Sequence, residues 1–529
     1  MPEQPVIRTT EGLVRGRWEQ PHGPEQQQGQ QHGQRQEQPA GRALAVFRGI
    51  RYAQPPVGAL RFAAPAEPEP WDGVREATAF GPVVPQSGPM PTETVESAES
   101  GESAEGTAVS EDSDWLTLNV CTPDPGAAGL PVLVWIHGGG FISGTANDPL
   151  YDPTAPASAG LVVVSVNYRV GAEGFALLEG APANRAFLDQ IAALRWVRRN
   201  IARFGGDPAL VTVAGQSAGA GSVAALLATD AAPGLFRRAV AHSVPGTHCT
   251  PALAAEVTAE LAKLLGTAPT AAALAEVHPR RLASAVTDLG AALPERLARW
   301  GRLAHSGIAT VPVVDGEVLP GSPWSALTEG VDLLVGHTRD EFRLFGVLSG
   351  RHGRFTEEEA RLALGLFAPP PGGPDAYRAA LPGATPSELL EAVSSDALFR
   401  VPSLRLAEAN AAAGGTSYLF ELALPAPALG GVFGACHGLD VPLAFGTLDS
   451  PAARHFLGDP PPPEAVRVSA ELREAWVRFA TTGDPGWPAF EPDGQLTRVL
   501  DARSETVRYP EQAARRIWAG HPLTAYDLS

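Results

Sequence analysis

Leu210-Val211-Thr212-Val213-Ala214-Gly215-Gln216-Ser217-Ala218-Gly219-Ala220-Gly221 reads as a strand, a sharp turn and the start of a helix. The apolar run with its β-branched valines has the character of a buried strand. Gly215-Gln216-Ser217-Ala218-Gly219 makes the turn, and Ser222-Val223-Ala224-Ala225-Leu226-Leu227 continues as a helix. A G-x-S-x-G between strand and helix is the context of a nucleophile elbow. A turn this sharp forces the serine into a strained backbone conformation, and the chain packs too closely for side chains two residues to either side. Ser217 is therefore the candidate nucleophile. Gly219-Ala220-Gly221-Ser222-Val223-Ala224 also fits the dinucleotide pattern G-x-G-x-x-A, which should open directly after the strand and be followed by an acid ending the next strand. Its first glycine instead lies inside the helix, and the next apolar run, Ala239-Val240-Ala241, ends in His242-Ser243 without an acid. The dinucleotide reading fails.

Composition bounds what surrounds this turn. The chain has 529 residues, 44% of them hydrophobic, ample for a large core. Its net charge is −18, and Lys263 is its single lysine. Nucleic acids and anionic membranes are poor partners for so acidic a chain. Cys121, Cys249 and Cys436 show no C-x-x-C spacing, so neither a disulfide framework nor a zinc site is indicated, and no metal is expected. Met1 to Pro5 lacks the basic and apolar regions of a signal peptide, and no apolar run reaches the length of a membrane span. The expectation is a cytoplasmic protein without a membrane partner.

Along the chain, Val6 to Arg15 reads as a hairpin turning at Glu11-Gly12, and Ala43 to Tyr52 as a strand. Residues 19–42 are Gln-, Gly- and Pro-rich, a low-complexity loop too polar to bury anything. Residues 91–113 form an acidic low-complexity insertion with a glutamate at every third position from Glu93 to Glu105. Both interrupt one domain spanning 1–529 without dividing it. From Trp115 the pattern becomes apolar run, turn and amphipathic helix, repeated. Pro131–Ile136 and Leu161–Val166 are continuous apolar strands, as a parallel sheet covered on both faces requires. Asn184 to Phe204 repeats apolar residues at helical spacing through Phe187, Ile191, Leu194, Val197 and Ile201. The fold class is α/β with a large, mostly parallel central sheet flanked by helices. Asp332–Gly336 and Ser417–Glu421 read as its last strands, and residues 250–310 and 355–400 as helical inserts forming a cap over the site.

A serine hydroxyl is a weak nucleophile until a base takes its proton, and the base needs an acid to hold its tautomer. In an α/β-hydrolase fold these follow in the order Ser, acid, His, each on a loop after a strand. Past Leu333–Val335 comes Gly336-His337-Thr338-Arg339-Asp340-Glu341, with two adjacent carboxylates; past Tyr418–Glu421 comes Gly434-Ala435-Cys436-His437-Gly438-Leu439-Asp440. After the strand ending at Ile136, His137-Gly138-Gly139-Gly140-Phe141 lets backbone N–H groups approach a developing negative charge. No Gly-Lys-Ser/Thr follows, so this is not a phosphate loop. His337 reads as a surface residue and Cys436 as a small buried side chain, its thiol a possible target for alkylation. Phe141 and Phe345 read as apolar pocket walls.

Together these residues resemble the type-B carboxylesterase/lipase family, which includes bacterial esterases and cholinesterases. The resemblance runs along nearly the whole chain, through Phe47–Pro56, Leu116–Val120, His137–Phe141, Asn167-Tyr168-Arg169, Asp189-Gln190, Phe204–Pro208, the elbow, Pro312–Gly316, Asp340-Glu341, His437–Asp440 and Trp476–Pro485. It implies a serine carboxylesterase of the p-nitrobenzyl-esterase kind, acting on a small-molecule ester through an acyl-enzyme without a cofactor; a monomer or weak homo-oligomer is expected. It implies Ser217 as nucleophile, His437 as base and then acid, and Glu341, not Asp340, as the orienting acid. Backbone N–H groups of Gly139, Gly140 and Ala218 would form the oxyanion hole, with Ser243 supporting the acid. The chain departs from the family at several points. Trp115 stands where a disulfide cysteine is frequent, Gln216 replaces the glutamate that cholinesterases place before the serine, and Phe342 stands where many relatives have Gly. His305-Ser306-Gly307-Ile308 lacks the bulky aromatics of a cholinesterase acyl pocket, which predicts a broader pocket beside Ile308. Quaternary-ammonium capture is unsupported. The same machinery would also serve carbamates, amides or acyl transfer, and a non-catalytic binding protein on this fold is the rival from another class.

Overall fold

The computed structural model describes residues 3–21, 42–86, 113–327 and 329–529. Most of the Gln-rich and acidic stretches therefore lies outside the described residues. Among the described residues fourteen strands are numbered in chain order. β1 (Val6–Arg8), β2 (Leu13–Arg15) and β5 (Val74–Glu76) make a small sheet. β1 and β2 form the hairpin expected around Glu11-Gly12, closed by the Thr9 N–H on the Gly12 carbonyl at 2.8 Å.

The large sheet has the order β14-β13-β12-β11-β10-β9-β7-β8-β6-β4-β3. Its middle strands run parallel: β8 (Val162–Val166), β7 (Leu130–Ile136), β9 (Gly206–Gln216), β10 (Arg238–His242), β11 (Asp332–Thr338), β12 (Thr416–Leu422) and β13 (Leu496–Leu500). β14 (Glu505–Arg508) closes one side antiparallel. β6 (Thr117–Thr122), β4 (Leu44–Arg51) and β3 (Arg17–Glu19) close the other. β12 is thus not the last strand, as the sequence had suggested. β13 reads Leu-Thr-Arg-Val-Leu and lacks a continuous apolar run, because Arg498 turns outward to Glu471 at 2.7 Å.

Why the central strands read as unbroken apolar runs is plain from the packing. Val132, Val134 and Ile136 of β7 enter one core, while Leu133 and Trp135 enter the core on the opposite face. The first core is capped by the helix Arg185–Asn200, whose Phe187, Ile191, Leu194 and Val197 are buried as the periodicity requires. The second is capped by Pro463–Thr482 through Leu472, Trp476 and Phe479. Each side chain alternates between faces, and both faces are dry.

The inserts fold as helices with their own apolar clusters. Residues 250–310 hold Pro251–Leu265, Ala271–Ala275, Pro279–Ala291 and Leu297–Ser306; residues 355–400 hold Glu357–Phe367, Gly373–Ala380, Pro386–Ser395 and a π-helical turn, Asp396–Arg400. Among the described residues no helix is long and apolar enough to cross a membrane.

Candidate active site

Five neighbouring parallel strands, β7, β9, β10, β11 and β12, deliver the candidate residues from their carboxyl ends, where open α/β sheets form their crevices. β9 ends at Gln216, and the helix Ala218–Ala228 begins one residue after the intervening Ser217. Ser217 holds φ +55° and ψ −125°, a conformation costly for a side chain other than glycine. Two backbone bonds keep it there: its N–H donates to the His242 carbonyl at 2.9 Å, and its carbonyl accepts from Gly221 at 2.9 Å. The flanking glycines are sterically compelled. A Cβ on Gly215 would lie 2.4 Å from the Gly219 carbonyl carbon, and one on Gly219 would lie 2.1 Å from the Ile136 oxygen. The elbow is pressed directly against the end of β7.

On the loop after β12, His437 directs Nδ1 at Glu341 Oε2, 2.5 Å away. Glu341 is fully buried; its Oε1 accepts the Ser243 hydroxyl at 2.6 Å and the Thr338 N–H at 2.8 Å. Burial alone would raise the Glu341 pKa. The charge and hydrogen bond of His437, with the bonds from Ser243 and Thr338, outweigh it and hold the carboxyl below its ordinary value. Asp340 points elsewhere. It exchanges two bonds with Ala435, N–H to carbonyl at 2.8 Å and Oδ2 from the Ala435 N–H at 2.9 Å, and pairs with Arg343 at 3.0 Å. The second carboxylate therefore staples the acid loop to the histidine loop.

His437 Nε2 takes a hydrogen bond from the Gln216 amide at 3.2 Å, its one hydrogen-bond partner among the described residues. The glycine loop after β7 turns through Gly139 at φ +115° and Gly140 at φ +62°. A Cβ on Gly139 would collide with the Ser143 carbonyl oxygen at 2.1 Å. Among the described residues the N–H groups of Gly139, Gly140 and Ala218 donate to no protein acceptor, and Ala218 opens a helix whose N-terminus favours negative charge. His137, at the start of the loop, is stacked on Tyr168 at 4.3 Å, and burial pushes its pKa down to about 4.

The expected pocket residues take different places. Ile308 reaches the glycine loop after β7, its Cδ1 3.4 Å from where a Gly140 Cβ would stand. Phe345, 39% exposed, lies with its ring 5.5 Å from that of His437. Phe141 is buried, packed edge-on against Phe175 and over Gly221. Phe399, which the sequence did not single out, comes from the π-helical turn and sits 4.4 Å from the His437 ring. His337 is not a surface residue as expected. It lies on β11 at 1% exposure, with Nε2 3.1 Å from the Tyr509 hydroxyl, because the C-terminal segment folds over it. Cys436 is buried as expected. Burial, reinforced by Glu341, raises its thiol pKa well above the usual value, so alkylation is disfavoured. No cluster of three or more His, Cys, Asp or Glu among the described residues is placed to hold a metal ion.

A profile of the Carboxylesterase family matches residues 24–363. The para-nitrobenzyl esterase of Bacillus subtilis (strain 168) is 36% identical over 489 residues, 89% of this chain and 94% of that protein. Phenmedipham hydrolase of Pseudarthrobacter oxydans is 34% identical over 484 residues, 88% of this chain and 93% of that protein. Among solved structures, the carboxylesterase EST55 of Geobacillus stearothermophilus matches with a TM-score of 0.78 at 34% identity, covering 97% of this chain and 99% of that one.

Proposed function

Because this chain belongs to the carboxylesterase family, and is a carboxylic ester hydrolase with the α/β-hydrolase fold, we propose that it works through Ser217, His437 and Glu341. The observation that carries the reading is the contact of His437 Nδ1 with the buried Glu341 carboxylate at 2.5 Å, beside a serine held at positive φ. Glu341 fixes the Nδ1–H tautomer, which leaves the Nε2 lone pair to act as base. In the resting geometry that lone pair receives the Gln216 amide. Substrate binding exchanges this bond for one from the Ser217 hydroxyl, since catalytic hydrogen bonds often tighten only in the complex.

The steps follow from these positions. Ser217 Oγ attacks the ester carbonyl carbon as its proton passes to His437 Nε2. The carbonyl oxygen becomes an oxyanion facing the N–H groups of Gly139, Gly140 and Ala218, each donor worth roughly 3 kcal/mol in such sites. Collapse breaks the bond to the leaving alkoxide, which takes the proton from His437 and departs as the alcohol. Water then repeats the sequence on the acyl-Ser217, releasing the acid and restoring the serine. Ser243 holds Glu341 in line throughout. The segment His305-Ser306-Gly307-Ile308, which places Ile308 and no bulky aromatic beside Gly140, supports a pocket that accepts acyl groups larger than acetyl. The carbamate alternative draws support from the relative named phenmedipham hydrolase.

The test is hydrolysis of p-nitrophenyl esters from acetate to long chains by the wild type and Ser217→Ala. The variant is expected to lose roughly 10⁴-fold or more in kcat. Equal activity in the two proteins would sink the assignment of the nucleophile, and activity confined to acetate would sink the broad acyl pocket.

A further inference from the structure

His242 ends β10, in register with Gln216 of β9, and its carbonyl oxygen holds the Ser217 N–H at 2.9 Å. Its side chain is buried on the opposite errand. Nδ1 stands 2.5 Å from Asp440 Oδ2, and the Trp476 indole N–H points at Nε2 from 3.1 Å. Both partners are themselves buried, at 1% exposure. An indole nitrogen can only donate, so His242 Nε2 must present a lone pair. The ring proton is then on Nδ1 and is donated to the Asp440 carboxylate, which fixes the tautomer from both ends. Phe420 packs against the ring at 4.7 Å and Trp476 at 5.3 Å, so its orientation is set as well.

Asp440 lies three residues after His437, as the first residue of the helix Asp440–Phe445. Its second oxygen, Oδ1, is buried without a hydrogen-bond partner among the described residues, so the His242 N–H is the bond that satisfies this carboxylate. The next residue, Ser243, at φ +57°, turns its hydroxyl to Glu341. Two adjacent residues at the end of one strand thus reach all three members of the site. The His242 backbone holds the nucleophile, the His242 side chain holds the segment carrying the base, and Ser243 holds the acid.

We propose that His242 is a positioning residue for ester hydrolysis, acting through Asp440 on the loop that carries His437. The proposal rests on the Ser217–His437–Glu341 reading. Its chemistry is a fixed donor–acceptor requirement: one group at position 242 must donate to Asp440 and accept from Trp476. Glutamine can do both, and leucine neither.

The experiment compares His242→Leu, His242→Gln and Asp440→Ala, with kcat referred to active sites counted by the p-nitrophenol burst, so that unfolded protein does not enter. Displacing a base by a fraction of an ångström to an ångström costs roughly 10–100-fold. His242→Leu is therefore expected to lose at least tenfold in kcat per titrated site with KM within about twofold, and His242→Gln to recover most of it. If the leucine variant does not fold, Asp440→Ala, which removes the acceptor of the His242 N–H, carries the test, with the same tenfold loss expected. Wild-type kcat per site in either variant, or a glutamine variant as impaired as the leucine one, overturns the proposal. A fully active Ser217→Ala would instead bring down the triad reading beneath it, an outcome that these variants do not mimic.

Discussion

Glu341 carries three hydrogen bonds and no solvent contact, and that combination has a thermodynamic sign. Its folded-state pKa lies below the ordinary value of 4.5. Ionisation therefore adds stability that is fully present above about 4.5 and is lost as the pH falls through the folded value. Glu341→Gln should be less stable than the wild type by roughly 1–3 kcal/mol at pH 7, the cost of weakening buried charge-assisted bonds. Urea unfolding measured along a descending pH series should show that gap closing below pH 4.5. A gap that stays constant or widens towards acid would refute the charged state assigned to Glu341. Activity should fall by roughly 10³–10⁴-fold, because an amide no longer selects the Nδ1–H tautomer. Ser217 and His437 stand out in the sequence because each sits in a short local motif after a strand, whereas the same reading offers Asp340 and Glu341 alike and only the family resemblance chooses Glu341. His242 does not stand out. Its bonds run to Asp440, 198 residues away, and to Trp476, 234 residues away, and no local pattern records such a meeting. His337 misled for the same reason, since its ring meets the Tyr509 hydroxyl, 172 residues away.

Among the elements, the contact between the helix Ala218–Ala228 and the end of β7 joins the turn at Ser217 to the glycine loop. A Cβ on Gly219 would strike the Ile136 and His137 carbonyl oxygens, which are backbone and cannot swing aside. Gly219→Ala should therefore cost more than the 1–3 kcal/mol of ordinary overpacking, read as a lower unfolding midpoint in urea. What folded protein remains should show a greater loss in kcat than rise in KM, because the displaced element precedes Gly139 and Gly140. A variant with wild-type stability and kcat would show that elbow and loop are not in contact. The steric need for glycine on both sides of the serine was legible in the motif itself, whereas the partner of Gly219 was not. β7, β8 and the helix Arg185–Asn200 announced themselves through continuous or periodic apolar residues buried on the expected faces. β13 and β14 did not, because they are short and carry polar side chains, Thr497 and Arg498 in one and Glu505, Thr506 and Arg508 in the other, at the margin of the sheet. The sequence shows the π-helical turn Asp396–Arg400 merely as part of a helical insert. An extra residue in one turn leaves no compositional mark, yet it brings Phe399 onto His437.

At the scale of the whole molecule, a charge of −18 sets a field that no single contact supplies. The residues immediately around the site are largely paired within themselves: Glu341 with His437, Asp340 with Arg343, Arg343 also with Glu391. The excess negative charge is therefore expected to act on the approach of a substrate more than inside the site. Charges further apart than about 8 Å are largely screened at physiological ionic strength, so this contribution must fade with added salt. A cationic ester and its neutral isostere, compared by kcat/KM from about 10 mM to 0.5 M sodium chloride, separate the two effects. The cationic substrate is expected to lose several-fold in kcat/KM across the range while the neutral one stays within about twofold. An anionic ester should show the opposite slope. Parallel slopes for all three would mean that the field of the chain does not reach the site, and that the pairing of charges around His437 screens it completely.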